Sequence, residues 1–261
     1  RSILKVLSKN NIEIISSGGT FKEIRKLKYK CIEVSEYTKF DEILDGRVKT
    51  LHPKIHAGIL SKRKNKLHKR QLLKNKFEEI DLVIVNFYPF EDVLKNSKNN
   101  SNIIENIDVG GPSMARAAAK NYKFVTVITK VEQYQELINE LKINKGNTSL
   151  QFRQKMSEEA FTETAYYDSL ISSYFNSLTG NKFPKKKIIH GNLIQQLRYG
   201  ENPHQEAAIY SNRNNLKIKQ LNGKQLSYNN YNDIFSALMI SKSLPKNIGT
   251  VIVKHSNPCG V

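Results

Sequence analysis

The run Leu82-Val83-Ile84-Val85 leaves this chain few choices. It is continuously apolar and rich in β-branched residues, the pattern of a central parallel strand covered on both faces. Phe124-Val125-Thr126-Val127-Ile128 reads the same way, and Ile12 to Ile15 and Cys31 to Val34 read as shorter strands. Helical patterns stand between them, over residues 2–10, Phe21 to Lys28, Lys64 to Asn75 and Val131 to Leu141, and residues 149–176 read as helix throughout. Strands alternating with helices predict an α/β fold built on a doubly wound parallel sheet. Asn86 and Tyr88 fall at the carboxyl end of the 82–85 strand, where open α/β sheets bind ligands. Tyr88 is therefore a candidate site residue, with a packing aromatic as the alternative.

Two glycine pairs mark places where such a ligand can be held. Ser16-Ser17-Gly18-Gly19-Thr20 leaves a strand and enters a helix, so backbone amides and the Ser17 and Thr20 hydroxyls can face an anion together. Asp108-Val109-Gly110-Gly111-Pro112 enters a second helix, with Pro112 suited to the first helical position and Met114 to Lys120 strongly helix-forming. Amides freed by this turn can take an anion or a carbonyl oxygen, and Asp108 can accept a proton or a ligand N–H. A plain helix entry is the alternative. Gly46-Arg47-Val48-Lys49-Thr50-Leu51-His52-Pro53 concentrates charge where no periodic apolar face explains it. Arg47 and Lys49 alternate, so an extended backbone aims both at one side. His52 and His56 are four apart, but Pro53 between them and the lack of a third ligand argue against a metal, and His52 reads as a hydrogen-bonder at a turn. Lys120 would lie ~13 Å along its helix from Asp108, so the two could share only a long substrate or meet through a kink.

The texture changes over Ser177 to Lys187, where Gly180, Pro184 and three successive lysines read as a linker. Two domains are expected, residues 1–186 and 187–261. The second holds a chemically mixed cluster, Leu197-Arg198-Tyr199-Gly200-Glu201-Asn202-Pro203-His204-Gln205, then a helix from Asn232 to Leu244. A buried strand, Thr250 to Val253, runs into Lys254-His255, where an ammonium beside the imidazole would keep it neutral and able to accept a proton. The chain opens at Arg1 inside a helical pattern and stops after a glycine turn, so it is expected to be cut at both ends. No run approaches the ~18 apolar residues of a membrane helix. The two cysteines, Cys31 and Cys259, are far apart and match no metal spacing, which fits a reducing cytoplasm.

The net charge of +18 would suit a nucleic-acid binder. The lysines are scattered, however, and no aromatic residue alternates with them as a stacking platform requires. The milder inference is attraction for anionic small molecules. Dinucleotide, Walker, Ser/His/Asp and metal signatures are missing, which leaves general acid–base chemistry on a phosphorylated small molecule.

Six ordered motifs carry a resemblance: Ser17-Gly18-Gly19-Thr20, Gly46 to Pro53, Asn86-Phe87-Tyr88-Pro89-Phe90, Ile107 to Gly111 with Ala117 to Asn121, Arg198 to Gln205, and Lys254 to Gly260. Over essentially its whole length the chain resembles the bifunctional purine-biosynthesis family that joins phosphoribosylaminoimidazolecarboxamide (AICAR) formyltransferase to IMP cyclohydrolase. The resemblance implies a methylglyoxal-synthase-like N-terminal domain that closes formyl-AICAR to IMP with loss of water and no cofactor. It implies Lys49, Tyr88, Asp108 and Lys120 as the catalytic group there, with Ser17, Gly18, Gly19, Thr20, Arg47, Thr50, Asn86, Gly110 and Gly111 around the ribotide. The second region resembles the start of a cytidine-deaminase-like formyltransferase domain that moves a formyl group from the co-substrate 10-formyltetrahydrofolate to AICAR. There the resemblance implies His255 as base, Lys254 as its electrostatic partner and Arg198 and Tyr199 as substrate contacts. The rest of that domain, and the first strand of the cyclohydrolase, are expected to lie outside this chain. A homodimer is implied, with no nucleic acid and no membrane.

Two other readings compete. The methylglyoxal-synthase-like fold also serves as a small-molecule regulatory domain, which would not demand the set Lys49, Tyr88, Asp108 and Lys120. A charge-driven nucleic-acid binder would instead lose polynucleotide affinity steeply with salt.

Overall fold

The computed structural model describes residues 1–212, 216, 218–246 and 248–261, which divide into two units, Arg1–Pro184 and Lys185–Val261. The first unit alternates strands and helices: α1 (Ser2–Lys9), β1 (Ile15–Ser16), α2 (Gly18–Lys26), β2 (Ile32–Glu33), α3 (Val34–Thr38), α4 (Pro53–Leu60), α5 (Lys66–Asn75), β3 (Leu82–Ile84), α6 (Phe90–Asn96), α7 (Asn100–Glu105), α8 (Gly110–Lys120), β4 (Thr126–Ile128), α9 (Tyr134–Ile143) and α10 (Leu150–Leu178). The strands pair in parallel, β1 with β2 and β3 with β4, with Ile15 opposite Ile32 and Val83 opposite Val127. Among the described residues the ladder is laid as these two pairs. Every residue of β4 is buried, as its continuous apolar run requires, and α8 and α10 both pack on it.

Two apolar clusters hold this unit. The larger runs from Ile3 and Leu7 on α1 through Ile59, Ala118, Val125 and Val127 to Phe152, Met156 and Ala160 on α10. The smaller joins Phe90 and Ile103 to Tyr167, Leu170 and Tyr174. Phe152, Met156, Ala160 and Thr164 recur at four-residue spacing along the same 29-residue helix, so α10 spans both clusters on one face. Ser149 caps it, accepting the Phe152 N–H at 3.2 Å. Ser149→Ala is expected to lower stability by about 1 kcal/mol, read as a shifted denaturation midpoint at unchanged slope.

Helix α3 is a single short turn with Val34, Tyr37 and Thr38 buried. Helix α8 begins at Gly110, two residues earlier than expected, so Pro112 lies within the first turn, where its missing N–H still costs no bond.

The second unit contains the antiparallel pair β5 (Asn192–Gln196) and β6 (Ala208–Ser211), helix α11 (Tyr228–Ser243), and the antiparallel pair β7 (Ile252–Lys254) and β8 (Asn257–Gly260). The expected buried strand at 250–253 is instead one arm of this hairpin, with Ile252 61% exposed. His255 and Ser256 both have positive φ, the conformation of a two-residue hairpin turn.

Candidate active site

In the first unit, the segment Lys49-Thr50 bridges the N-termini of α2 and α8. Gly18 has a positive φ of +56°, and a Cβ there would sit 3.3 Å from Lys49 Nζ. A Cβ on Gly110 would sit 2.7 Å from Thr50 Oγ1, and one on Gly111 would collide with the Asp108 carboxylate. Each of the three glycines therefore lets a polar side chain lie against bare backbone. Ser17 precedes α2 without capping it, so the first-turn amides receive no acceptor from that side chain. Gly19 and Thr20 are exposed beside it. A shallow pocket lined by Ser17, Glu33, Ser35, Phe40, Glu42 and Lys49 opens at this point.

At the entrance to α8, Asp108 Oδ1 accepts the Gly111 N–H at 2.8 Å and Oδ2 accepts the Tyr88 N–H at 3.4 Å. Its own N–H donates to the Tyr167 hydroxyl at 2.8 Å. Burial pushes the Asp108 carboxyl above the ordinary carboxylate range, against the pull of the Gly111 and Tyr88 hydrogen bonds. A carboxyl so placed can take and return a proton nearer neutrality than an exposed one. Tyr88 itself is 56% exposed, its ring free to meet a ligand. Asn86 donates its side-chain amide to the Tyr134 hydroxyl at 3.2 Å.

Several expectations require correction. Arg47 is helical rather than extended, with φ −65° and ψ −28°, so it does not alternate with Lys49 toward one side. Each cation has its own carboxylate: Arg47 pairs with Glu105 at the end of α7, and Lys49 with Glu42. The Gly111 amide is not free, because Asp108 occupies it. Lys120 stands at the far end of α8, an unbroken helix, about 15 Å along the axis from Gly110. Its neighbours confirm the direction: Ser157 bonds the Ala119 carbonyl, and the Asn121 amide bonds the Ile59 and Ser61 carbonyls at the end of α4. Lys49, Thr50, Gly18, Gly110, Gly111, Tyr88 and Asp108 thus gather along one edge, and Lys120 does not join them. Glu42, Glu105 and Tyr167 were not legible as site neighbours; their partners lie far off in sequence or in an acidic run without pattern. His52 accepts the Lys54 N–H through Nδ1 and caps α4, the turn role expected of it. Among the described residues no three His, Cys, Asp or Glu side chains converge on a metal position.

In the second unit, Arg198 donates to the Tyr199 hydroxyl at 3.1 Å and stacks 4.8 Å over its ring. Hydrogen bonding with Ser227, then the guanidinium, draws the Tyr199 phenol below its ordinary range. The Tyr199 carbonyl accepts the Tyr228 N–H at the start of α11. One and a half turns on, Asp233 accepts the Ser256 N–H at 2.7 Å, which ties the Lys254-His255 turn to the same helix. His255 is exposed at the tip of that hairpin, not at the end of a buried strand.

A family model described as the AICARFT/IMPCHase bienzyme matches residues 118–261. The chain belongs to this family. A model of the MGS-like domain matches residues 2–113, so the first unit is a methylglyoxal-synthase-like α/β domain whose last helices fall within the bienzyme match. Bifunctional purine biosynthesis protein PurH from Persephonella marina is 47% identical over 98% of this chain and 51% of its own length. The PurH proteins of Ruegeria sp. and Clostridioides difficile are each 45% identical over 98% of this chain, covering 50% and 51% of theirs. The chain spans about half the length of these curated relatives. The crystal structure of ForH is similar with a TM-score of 0.59 and 26% identity, over 66% of this chain and 90% of that one.

Proposed function

We propose that residues 1–186 form an IMP cyclohydrolase and residues 187–261 the beginning of an AICAR formyltransferase domain, in a cytoplasmic homodimeric enzyme of purine biosynthesis. The observation that carries the first assignment is Lys49-Thr50 set between two glycine-opened helix N-termini, with the buried carboxylate of Asp108 at one of them. The ribotide phosphate takes the α2 end, where Ser17, Gly18, Gly19 and Thr20 offer amides and hydroxyls and Lys49 offers charge, with Arg47 turning to it once released from Glu105. Binding asks both cations to leave their carboxylates. The Arg47–Glu105 pair is exposed and the Lys49–Glu42 pair partly so, and a dianionic phosphate can displace both carboxylates.

The base end meets Thr50, Gly110, Gly111, Asp108, Tyr88 and Asn86. In ring closure the carboxamide nitrogen attacks the formyl carbon; the nitrogen gives up a proton as the formyl oxygen gains one, and water then leaves to form the C=N bond. Asp108 orients the carboxamide and receives its proton, Lys49 supplies the proton to the formyl oxygen, and Tyr88 lies exposed beside them. Lys120 takes no part in this single-chain arrangement. No cofactor is needed for the cyclisation. The formyltransferase takes 10-formyltetrahydrofolate as co-substrate and AICAR as acceptor, with Arg198, Tyr199, Lys254 and His255 contributing along α11.

The deciding experiment is ring closure of formyl-AICAR by the purified 261-residue chain, followed by the ultraviolet change as IMP forms. Turnover from a sample with native circular dichroism is expected. A folded sample without turnover, yet stabilised by IMP, would instead favour a regulatory binding domain.

A further inference from the structure

Tyr167, on α10, reaches both segments that carry the proposed chemistry. Its hydroxyl accepts the Asp108 N–H at 2.8 Å and donates to the Asn106 carbonyl at 3.3 Å. Its ring lies edge-on to Phe87, with centroids 5.4 Å apart, and to Phe90 at 6.0 Å. Those two rings flank Tyr88, whose own N–H reaches Asp108 Oδ2. A phenylalanine would fill the same volume between Phe90 and Leu170. The hydroxyl is therefore not required for packing, and a buried hydroxyl costs stability unless it is bonded. What it bonds is the 106–108 turn.

We infer that Tyr167 is a positioning residue for the cyclohydrolase site: its hydroxyl fixes the Asp108 backbone while its ring fixes Phe87, and together these set the Asp108 carboxylate against the Gly111 and Tyr88 amides. A main-chain anchor two residues before Gly110 controls where both carboxylate oxygens point, and small misplacements of a reacting group are expensive. The kinetic part of this inference rests on the cyclohydrolase reading. The geometric part does not.

The test is Tyr167→Phe in the 261-residue chain, read two ways. Ring closure should show kcat lowered about 10- to 100-fold, with KM within about twofold of wild type. In a glycine-labelled sample, the Gly111 amide proton, displaced downfield by its bond to a carboxylate, should move upfield as that bond loosens. A lower unfolding midpoint with kcat and the Gly111 resonance both unchanged would overturn the inference and leave Tyr167 a packing residue. If folded wild type closes no ring, the cyclohydrolase reading fails, and the Gly111 resonance alone then decides whether Tyr167 positions Asp108.

Discussion

Lys49→Met is expected to lower kcat for ring closure by about a thousandfold while leaving the protein folded and IMP affinity reduced far less, consistent with loss of a proton-transfer group. Methionine keeps most of the aliphatic stem and removes the ammonium that lies against Gly18. Folding should barely register the change. Among the described residues Lys49 pairs with Glu42, whose side chain is 41% exposed and can hydrate once released. A pair of this kind contributes about 0–1 kcal/mol, so the denaturation midpoint should shift little. The informative comparison is between turnover and product affinity. IMP keeps the phosphate but lacks the formyl oxygen that Lys49 is proposed to protonate. Equal losses in kcat and IMP affinity would reduce Lys49 to a phosphate contact, and the proton would have to come from another donor.

The pattern of the chain made the parallel strands legible because continuous apolar runs such as 82–85 and 124–128 have no solvent face to present. It overstated their length. Strand ends depend on a partner's reach, and β1 finds only two paired residues beside β2. Helix α3 was invisible for a related reason: five residues cannot display a helical period, and what holds them is burial of Val34 and Tyr37 against the rest of the domain. The β7–β8 hairpin was hidden by Pro258, which discourages a strand assignment yet is tolerated on an edge strand beside the register shift between Ile252 and Val253.

The site divides in the same way. Glycine pairs, Asp108 and Lys49 were readable because their residue types restrict what the backbone can do. The partners that set their charge were not. Glu105 lies 58 residues from Arg47 and Tyr167 lies 59 from Asp108, and no local spacing connects them. Lys120 is the opposite case. It belongs to a recognisable motif, but a helix advances about 1.5 Å per residue whatever motif it carries, and α8 has neither a kink nor an internal break to bring its ends together.

Asp108→Asn separates the chemistry of the carboxylate from its structural role. The amide oxygen can still accept the Gly111 N–H, so the turn into α8 is preserved. Only the weak 3.4 Å contact with the Tyr88 N–H is lost, because the amide nitrogen there would face a donor. Turnover should nevertheless fall by about 10²- to 10⁴-fold, the range for loss of a general base. The stability change carries a sign that can be checked. Burial raises the native pKa of Asp108 above its unfolded value. Between those two values the native state holds more proton than the unfolded chain, so wild-type stability relative to the asparagine variant declines as pH rises through that window and is level above it. At neutral pH the asparagine variant should accordingly unfold at the same denaturant concentration as wild type or a higher one. Wild-type kcat should show an acid limb lying above the ordinary carboxylate range, and the variant's residual rate should lack it. A variant that loses several kcal/mol at neutral pH, about what an unpaired buried group costs, would mean that the ionised carboxylate holds the turn together, and the fall in turnover would then say nothing about proton transfer.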